Sequence, residues 1–272
     1  MKETANKRDF YMIIDFHTHI YPEKIAAHGV KYIGDFYGFS LDADRGTKAH
    51  LDACCAAAGV DYKVHLAVAV RPEQVQSINN WLSSVLDAHS FGFGSLHPQM
   101  EDPLAELDRF EALGFSGVKF HPDMQSFAAD DPSMFPVYEK IAGRYPVLFH
   151  AGDKRYDFSG PRRIARVLDA FPNLTVIAAH LGGYSEWEEA MELLCGRDVY
   201  FDTSSAVGFL PEEKAVEMIR SHRPDRLLFG TDYPVVTQEE ELKTFRALGL
   251  DRELEERILW KNAAALLHIQ EK

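Results

Sequence analysis

Apolar and polar positions follow one repeating scheme from end to end of the chain. Short apolar runs, rich in β-branched residues, are each followed by a longer segment with apolar positions at helical spacing. The short runs predict eight strands, at residues 12–15, 63–70, 92–96, 117–120, 147–149, 174–179, 199–201 and 226–229. The longer segments predict helices at residues 46–58, 73–89, 103–113, 132–144, 161–171, 186–194, 211–221, 239–248, 251–259 and 262–269.

The predicted strands are almost continuously apolar, which is typical of a parallel sheet that is covered on both faces. Strands that alternate with helices indicate βα units. An open, doubly wound sheet is the alternative to a barrel, but eight strand candidates favour closure. The length of 272 residues also suits one barrel, which typically takes about 250 residues. We therefore predict an α/β fold, a single (β/α)8 TIM barrel.

The domain organisation follows from the same pattern. Residues 1–10 are polar and charged and are predicted to be a flexible N-terminal extension, and the barrel is predicted to span residues 11–272. The segment at about 21–45 is the one irregular piece and is rich in glycine and aromatic residues. We interpret it as an insertion after strand one. It either covers the mouth of the barrel or is a surface excursion without a role.

Composition and charge narrow the classes of partner. The net charge is -13, from 29 Lys and Arg against 42 Asp and Glu, and a chain this acidic is a poor ligand for nucleic acid. The three cysteines form no CxxC pair, which argues for reduced thiols in the cytoplasm. The apolar runs are too short to cross a membrane. We expect a cytoplasmic protein that acts on a small molecule.

Polar residues lie directly after several predicted strands. His17 and His19 follow the first strand, His150 the fifth, His180 the sixth and Asp232 the eighth. Because the carboxyl ends of the strands form the catalytic face of a barrel, we expect these side chains to meet there.

The spacing of these residues favours a metal site. Side chains two apart in a strand point to the same side, so His17 and His19 can aim at one point. Imidazole nitrogens and carboxylate oxygens bind zinc-like ions at about 2.0–2.2 Å, and His150 and Asp232 would complete the set. Each residue alone has a structural explanation, as a core histidine or a turn-capping aspartate. Their shared position at one rim predicts a divalent metal.

At this point the residues resemble a known group. The set His17, His19, His150, His180 and Asp232, in that strand order, resembles the amidohydrolase superfamily of metal-dependent hydrolase barrels. The local motifs are similar to its aminocarboxymuconate-semialdehyde decarboxylase-like branch, also called amidohydrolase-related or amidohydrolase 2. These motifs are GVKFHP at 117–122, FPVYE at 135–139, VLFH at 147–150, AHLGG at 179–183 and FGTDYP at 229–234, and NAAALL at 262–267 resembles the closing helix of the branch.

The resemblance covers nearly the whole chain, from Ile13 to Ile269, and it implies roles. His17, His19, His150 and Asp232 would be the metal ligands, and Asp232 would also take a proton from the metal-bound water. His180 would act beside the metal as an acid/base or as a stabiliser of negative charge. One divalent ion is implied, most often zinc, with manganese as the alternative.

Three further residues are predicted to contact the substrate. Lys119 and His121 are at the end of strand four, and Arg155 follows strand five. In binuclear members of the superfamily a strand-four lysine is carboxylated and bridges two metals, so a second metal held by carboxylated Lys119 is the alternative to the one-metal site. His180 would then bind the second ion.

Two reactions are implied by the resemblance. The first is hydrolysis of an amide, lactone or ester of a small organic acid by a metal-activated water. The second is non-oxidative decarboxylation, a lyase reaction, of a small unsaturated or aromatic carboxylate. The complete set of ligands and acid/base residues favours the hydrolase. A third alternative is a metal-binding barrel without turnover. We also expect a homodimer, which is common in this branch.

Overall fold

The computed structural model describes residues 12–270, and the predicted N-terminal extension lies outside the described residues. Eight parallel strands form one sheet in the order β1 to β8, and helices connect them. The predicted (β/α)8 barrel is thus confirmed. The strands are β1 Ile14–Thr18, β2 Tyr62–Leu66, β3 Ser90–Ser95, β4 Phe115–Phe120, β5 Val147–Phe149, β6 Val176–Ala178, β7 Tyr200–Asp202 and β8 Leu227–Leu228.

The helices lie between consecutive strands and after the last one. They are α1 Ala26–Tyr37, α2 Lys48–Ala58, α3 Val75–Val85, α4 Pro103–Asp108, α5 Phe110–Leu113, α6 Pro122–Gln125, α7 Phe135–Ile141, α8 Pro161–Ala170, α9 Trp187–Leu193, α10 Glu212–Ser221, α11 Gln238–Ala247, α12 Arg252–Glu256 and α13 Asn262–Leu266. Within residues 12–270, every helix is too short or too polar to pass through a lipid bilayer.

Hydrogen bonds between β1 and the segment after β8 close the barrel. The backbone N–H of Phe16 donates to the carbonyl of Phe229 at 2.8 Å, and that of Asp232 donates to the carbonyl of His17 at 2.8 Å. A further bond of 2.7 Å joins the His19 N–H to the Tyr233 carbonyl. β8 itself spans only two residues, so the closure depends on these bonds. They bring His17 and His19, from the start of the barrel, to the same point of the rim as Asp232, from its end.

Two apolar clusters build the core. The larger one packs the outer faces of the strands against the surrounding helices. The smaller one takes the alternate strand residues, such as Phe16, Leu148 and Ile177, and includes Ala263 and Ala264 of α13. Side chains of alternate strand positions fill the interior of such barrels, so α13 closes the end of the barrel opposite the rim.

The segment after β1 differs from its prediction as an irregular insertion, because α1 forms a twelve-residue helix within it. Two of the glycines that made the segment look irregular, Gly29 and Gly34, are packing positions. A Cβ on Gly34 would lie 2.5 Å from the carbonyl oxygen of Phe39, and one on Gly29 would lie 2.9 Å from the ring of Tyr21. The helix ends at Gly38, whose positive φ of 82° suits glycine. Close approach of the chain to itself therefore explains the composition.

Candidate metal centre

The five residues predicted from the sequence lie at the carboxyl ends of four strands. His17 belongs to β1 and His19 follows it, His150 follows β5, His180 follows β6 and Asp232 lies beyond β8. The side chains of His17, His150 and His180 are almost fully buried. The rim of the barrel therefore holds a buried cluster of imidazoles beside one carboxylate.

Three of the four predicted ligands converge. The Nε2 atoms of His17 and His19 are 3.3 Å apart, and each lies 3.4 Å from Oδ1 of Asp232. The ligand atoms of these three residues thus form a triangle that could hold one metal ion.

The partners of the other ring nitrogens assign the tautomers. The Nδ1–H of His17 donates to Oδ2 of Asp202 at 2.9 Å, and the Nδ1–H of His19 donates to the carbonyl of Leu66 at 2.9 Å. A neutral imidazole carries only one N–H, so both Nε2 atoms present lone pairs. Burial, followed by the charge of Lys119, lowers the pKa of His17 to about 4, which keeps this ring neutral.

This arrangement fits a cation. Two proton-free nitrogens and a carboxylate oxygen face one another at 3.3–3.4 Å, and none of the three can donate a hydrogen bond to another. Desolvated lone pairs at this distance repel unless a cation lies among them. Imidazole and carboxylate ligands are those of zinc and of related transition metals. The residues present therefore fit a divalent metal.

The fourth predicted ligand, His150, lies beside His180 instead of inside the triangle. Its Nδ1 is 3.0 Å from Nε2 of His180. Its own Nε2 is buried without a hydrogen-bond partner among the described residues and lies 3.8 Å from Oδ2 of Asp123. Its ligand atoms group with those of His121 and Asp123. Metal binding by His150 remains a prediction.

His180 is oriented in the same way as the ligand candidates. Its Nδ1–H donates to the carbonyl of Ser204 at 2.9 Å, which leaves Nε2 with a lone pair directed to His150. His180 and Leu181 both have positive φ, 60° and 52°. Such left-handed backbone at residues other than glycine costs roughly 1–2 kcal/mol each, and strained positions of this kind cluster at functional sites.

Asp202 is not among the residues predicted from the sequence, and it supports this side of the centre. Its carboxylate accepts hydrogen bonds from the His17 ring, the His180 backbone N–H and the Ser204 hydroxyl. Burial would raise the pKa of Asp202, but His17, His180 and Ser204 outweigh it and hold the pKa at about 2. A carboxylate behind a ligand histidine fixes the tautomer of the ring and raises its basicity. Asp202 is the last residue of β7. This position at a strand end, which it shares with the predicted residues, is the sequence feature that could have identified it.

A second missed group surrounds Asp232. The Ser205 hydroxyl donates to Oδ2 of Asp232 at 2.7 Å. Burial alone would raise the pKa of Asp232, yet His17, His19 and His180 hold it below its usual value. Asp232 is therefore ionised, with one oxygen held by a hydroxyl and the other facing the two Nε2 atoms.

Gly230 permits the close approach of the two strand ends. A Cβ at this position would lie 2.9 Å from Cβ of His17 and 3.3 Å from Cβ of Ser204. Any side chain here would push the β8 end away from His17. Packing between β1, β7 and β8 thus requires glycine at position 230, the residue before Thr231 in the FGTDYP motif.

Lys119 lies near the carboxyl end of β4, the end of the strand at which the rim is formed. The side chain is buried in β4, and no hydrogen bond or ion pair joins it to any other residue in the part of the chain that the structure describes. Burial lowers the pKa of Lys119 to about 8, although Asp232 and Asp202 oppose the change. An unpaired ammonium group with a lowered pKa can either bind an anion or lose its proton and react as an amine.

The other two predicted substrate contacts have protein partners. The ring of His121 stacks on that of His150, with centroids 4.0 Å apart, and its Nε2 is 3.0 Å from the hydroxyl of Tyr37. The guanidinium of Arg155 pairs with the buried carboxylate of Asp153 at 2.6 Å and covers the ring of Tyr37. Contact of His121 or Arg155 with substrate remains a prediction.

A narrow pocket opens beside the metal-ligand candidates. Its lining combines His150, His180 and Asp232 with hydroxyls and aromatic rings, and the further lining residues are Tyr37, Phe39, Tyr184, Ser205, Phe209 and Val235. Tyr37 and Phe39 come from the segment after β1, so this segment does contribute to the mouth of the barrel. Neither Tyr37 nor Tyr184 can be recognised from the sequence, since nothing local distinguishes them from other aromatic residues.

Several solved structures share this fold over nearly their full length. A 5-carboxyvanillate decarboxylase from Sphingomonas paucimobilis has a TM-score of 0.73 and 15% identity, over 96% of this chain and 100% of that one. A dihydroxybenzoic acid decarboxylase from a Polaromonas species was solved with bound manganese and the inhibitor 2-nitroresorcinol. It has a TM-score of 0.72 and 17% identity, over 97% of this chain and 98% of that one. A putative 2-pyrone-4,6-dicarboxylic acid hydrolase from Pseudomonas putida has a TM-score of 0.68 and 17% identity, over 97% of this chain and 100% of that one. At these identities the likeness bears on the fold.

The match to a family model bears on family membership as well as on the fold. The model described as amidohydrolase matches residues 14–269, which takes in all eight strands and every ligand candidate. This agrees with the motifs at the ends of β4, β5, β6 and β8. The chain belongs to the amidohydrolase family, in the amidohydrolase 2 branch that its motifs resemble.

Proposed function

We propose that the chain is a metal-dependent hydrolase that directs a water molecule at an amide, lactone or ester of a small organic acid. The observation that carries the proposal is the triangle of His17 Nε2, His19 Nε2 and Asp232 Oδ1, in which no atom has a proton to share. When bound there, a divalent metal supplies Lewis acidity and lowers the pKa of water to about 7.

The residues around the triangle supply the proton transfers. Asp232 is ionised and has one oxygen held by Ser205, so it can accept the proton of the attacking water and pass it to the leaving group. His180 presents the Nε2 lone pair toward His150 and the pocket. It can hold a proton near a substrate oxygen and so stabilise developing negative charge.

We propose one metal ion per chain, with zinc as the first candidate and manganese as the second. Nitrogen-rich ligand sets suit zinc, and His150 would be the third imidazole ligand once its ring turns from His180. The alternative is a second ion held through carboxylated Lys119. Partial deprotonation of this amine near pH 8 is compatible with carboxylation, so metal stoichiometry separates the two.

Non-oxidative decarboxylation of a small unsaturated or aromatic carboxylate is the second candidate, and one observation favours it. The buried Lys119 ammonium has no ion-pair partner among the described residues, so it is available to hold a substrate carboxylate. Arg155, by contrast, is paired with Asp153. Decarboxylases are also named among the proteins of the same fold.

The test begins with elemental analysis of protein loaded with zinc or manganese. One ion per chain supports the mononuclear site, two support carboxylated Lys119, and none overturns the proposed function. The loaded protein is then assayed on lactones, amides and aromatic carboxylates, with acid release scored against carbon dioxide release. Acid release supports the hydrolase, carbon dioxide release supports the decarboxylase, and turnover of neither class with full metal content supports a binding protein.

A matched pair of variants sharpens the second candidate. Lys119→Met keeps the length of the side chain and removes its charge, and Lys154→Met removes an exposed lysine near the same rim. If Lys119 holds a carboxylate, Lys119→Met raises KM for carboxylates by about 10-fold or more, the scale of a buried charge-assisted hydrogen bond. Lys154→Met should leave KM unchanged.

A further inference from the structure

Tyr37 brings a hydroxyl into the pocket from outside the eight strands. It is the last residue of α1, and its ring contacts those of Tyr184, Phe39 and His150, with centroid distances of 5.4, 5.9 and 6.2 Å. The guanidinium of Arg155 covers the ring, 5.3 Å from its centroid. The ring is thus packed on several sides, which holds the hydroxyl in one position.

The hydrogen bonds of His121 determine the direction of this hydroxyl. The Nδ1 atom of His121 accepts the backbone N–H of Met124 at 3.3 Å, so in the neutral ring Nε2 carries the hydrogen. That Nε2–H donates to the hydroxyl oxygen of Tyr37 at 3.0 Å. The hydrogen of the Tyr37 hydroxyl is then left to donate elsewhere, and no acceptor for it is found among residues 12–270.

The pocket offers the direction for that donation. Tyr37 lines it together with His150, His180 and Asp232. His121 is itself held in place, because its Nδ1 accepts the N–H of Met124 at 3.3 Å and its backbone N–H donates to Oε1 of Gln125 at 2.9 Å. A donor that is held in place before the ligand arrives stabilises charge on a substrate oxygen without reorganisation.

We propose that Tyr37 is a catalytic residue whose hydroxyl donates a hydrogen bond to an oxygen of the ligand at the metal centre, with His121 as its positioning residue. The proposal rests on the proposed metal centre but not on the choice between hydrolase and decarboxylase. It assigns to the segment after β1 a chemical contribution beyond covering the barrel. It also gives His121 a function that requires no contact with substrate.

Tyr37→Phe tests the hydroxyl, because it removes one oxygen and keeps the packed ring. We expect the dissociation constant of benzohydroxamate, an oxygen chelator of metal centres, to rise about 10- to 100-fold, as for loss of a hydrogen bond to a charged oxygen. On any substrate found in the panel, kcat/KM should fall by at least as much. The control is Tyr32→Phe, which removes a hydroxyl from the exposed side of the same helix and should change neither quantity.

A double-mutant cycle tests the positioning role of His121. His121→Leu removes the donor to Tyr37 and should weaken benzohydroxamate binding, whereas His121→Gln keeps an N–H donor and should restore much of it. In the Tyr37→Phe background, His121→Leu should have little further effect, because the group that it positions is gone. Fully additive effects would show that His121 does not act through Tyr37.

The outcomes separate this proposal from the proposed function. If wild-type protein binds metal and benzohydroxamate, and Tyr37→Phe binds both equally well, the proposal for Tyr37 is wrong and the metal centre stands. If wild-type protein binds no metal, both fall. A specific loss in Tyr37→Phe, at unchanged metal content and with Tyr32→Phe normal, supports the assignment.

Discussion

At the carboxyl rim of the barrel, His17, His19 and His180 each bond to the protein through Nδ1 and leave Nε2 without a hydrogen. At the opposite end, His222 has both nitrogens bonded: Nδ1 accepts the N–H of Gly196 at 3.1 Å and Nε2–H donates to the carbonyl of Val199 at 2.9 Å. All four rings are at least largely buried. The difference is that the three rim histidines present a lone pair on Nε2, whereas His222 uses its Nε2–H as a donor to the protein.

A fifth histidine shows what this criterion needs in addition. His65 bonds to the Thr18 hydroxyl through Nδ1 at 2.9 Å, and its buried Nε2 has no hydrogen-bond partner among the described residues. However, it belongs to none of the clusters of ligand atoms found in the described chain. One orphan nitrogen is therefore insufficient. A metal site needs several proton-free atoms that converge, and only the rim provides them in this comparison.

The largest effect is expected at the carboxylate of the rim. Asp232→Asn removes the proposed proton acceptor and the charge of a proposed metal ligand, and kcat/KM at saturating metal should fall by about 1,000-fold or more, within the range for general-base catalysis. Asp198→Asn, at an exposed aspartate near the amino end of β7, is the control and should retain wild-type turnover. If Asp232→Asn stays within tenfold of wild type, another residue is the base.

The second effect contrasts the two ends directly. His17→Asn should reduce zinc affinity by more than the roughly 10- to 100-fold that loss of a supporting partner costs. His222→Asn should leave zinc content unchanged and lower the free energy of unfolding by about 1–3 kcal/mol, because two buried partners lose their hydrogen bonds. Zinc titration with a chromophoric chelator and urea denaturation measure the two quantities. Equal zinc affinity in both variants would remove the distinction between the ends.

The third effect concerns the support of the rim. Asp202→Asn replaces the acceptor that holds the Nδ1–H of His17, so the ring can adopt the tautomer that points a hydrogen at the metal. Zinc affinity should fall about 10- to 100-fold, as for other supporting carboxylates. The control is Asp225→Asn, which replaces an aspartate paired with Arg223 and Arg226. This variant should bind zinc normally. A normal Asp202→Asn would mean that the tautomer is fixed otherwise.

The smallest effect is a pH dependence at the amino end. Burial lowers the pKa of His222 from 6.5 to about 4, although the hydrogen bond to the Val199 carbonyl opposes this change. Between these values the unfolded chain binds more protons than the folded one, so the free energy of unfolding falls as pH falls through this window. From pH 7 to pH 5 the loss from this group should be about 2 kcal/mol. His222→Gln should lose less over the same interval, and identical losses would contradict the assignment.

The sequence alone determined the barrel and the positions of its ligand candidates. Strand and helix periodicity arises from local burial, and the carboxyl ends of parallel strands meet at one rim whatever the details of packing. For this reason His17, His19, His180 and Asp232 could be assigned to one face before any contact was known. Local motifs also placed the chain in the right family. The predicted strand at 63–70 was too long, because β2 ends at Leu66.

Only the tertiary structure decided which atoms are free to act. The tautomers of His17 and His19 depend on Asp202 and on the carbonyl of Leu66, which are 185 and 47 residues away along the chain. Likewise, Tyr37 became part of the pocket because α1 folds back over the rim to meet His121, 84 residues later. Spacing within a sequence records which side chains share a strand or a helix face. It does not record which distant partner occupies each nitrogen and oxygen, and that occupancy sets the chemistry.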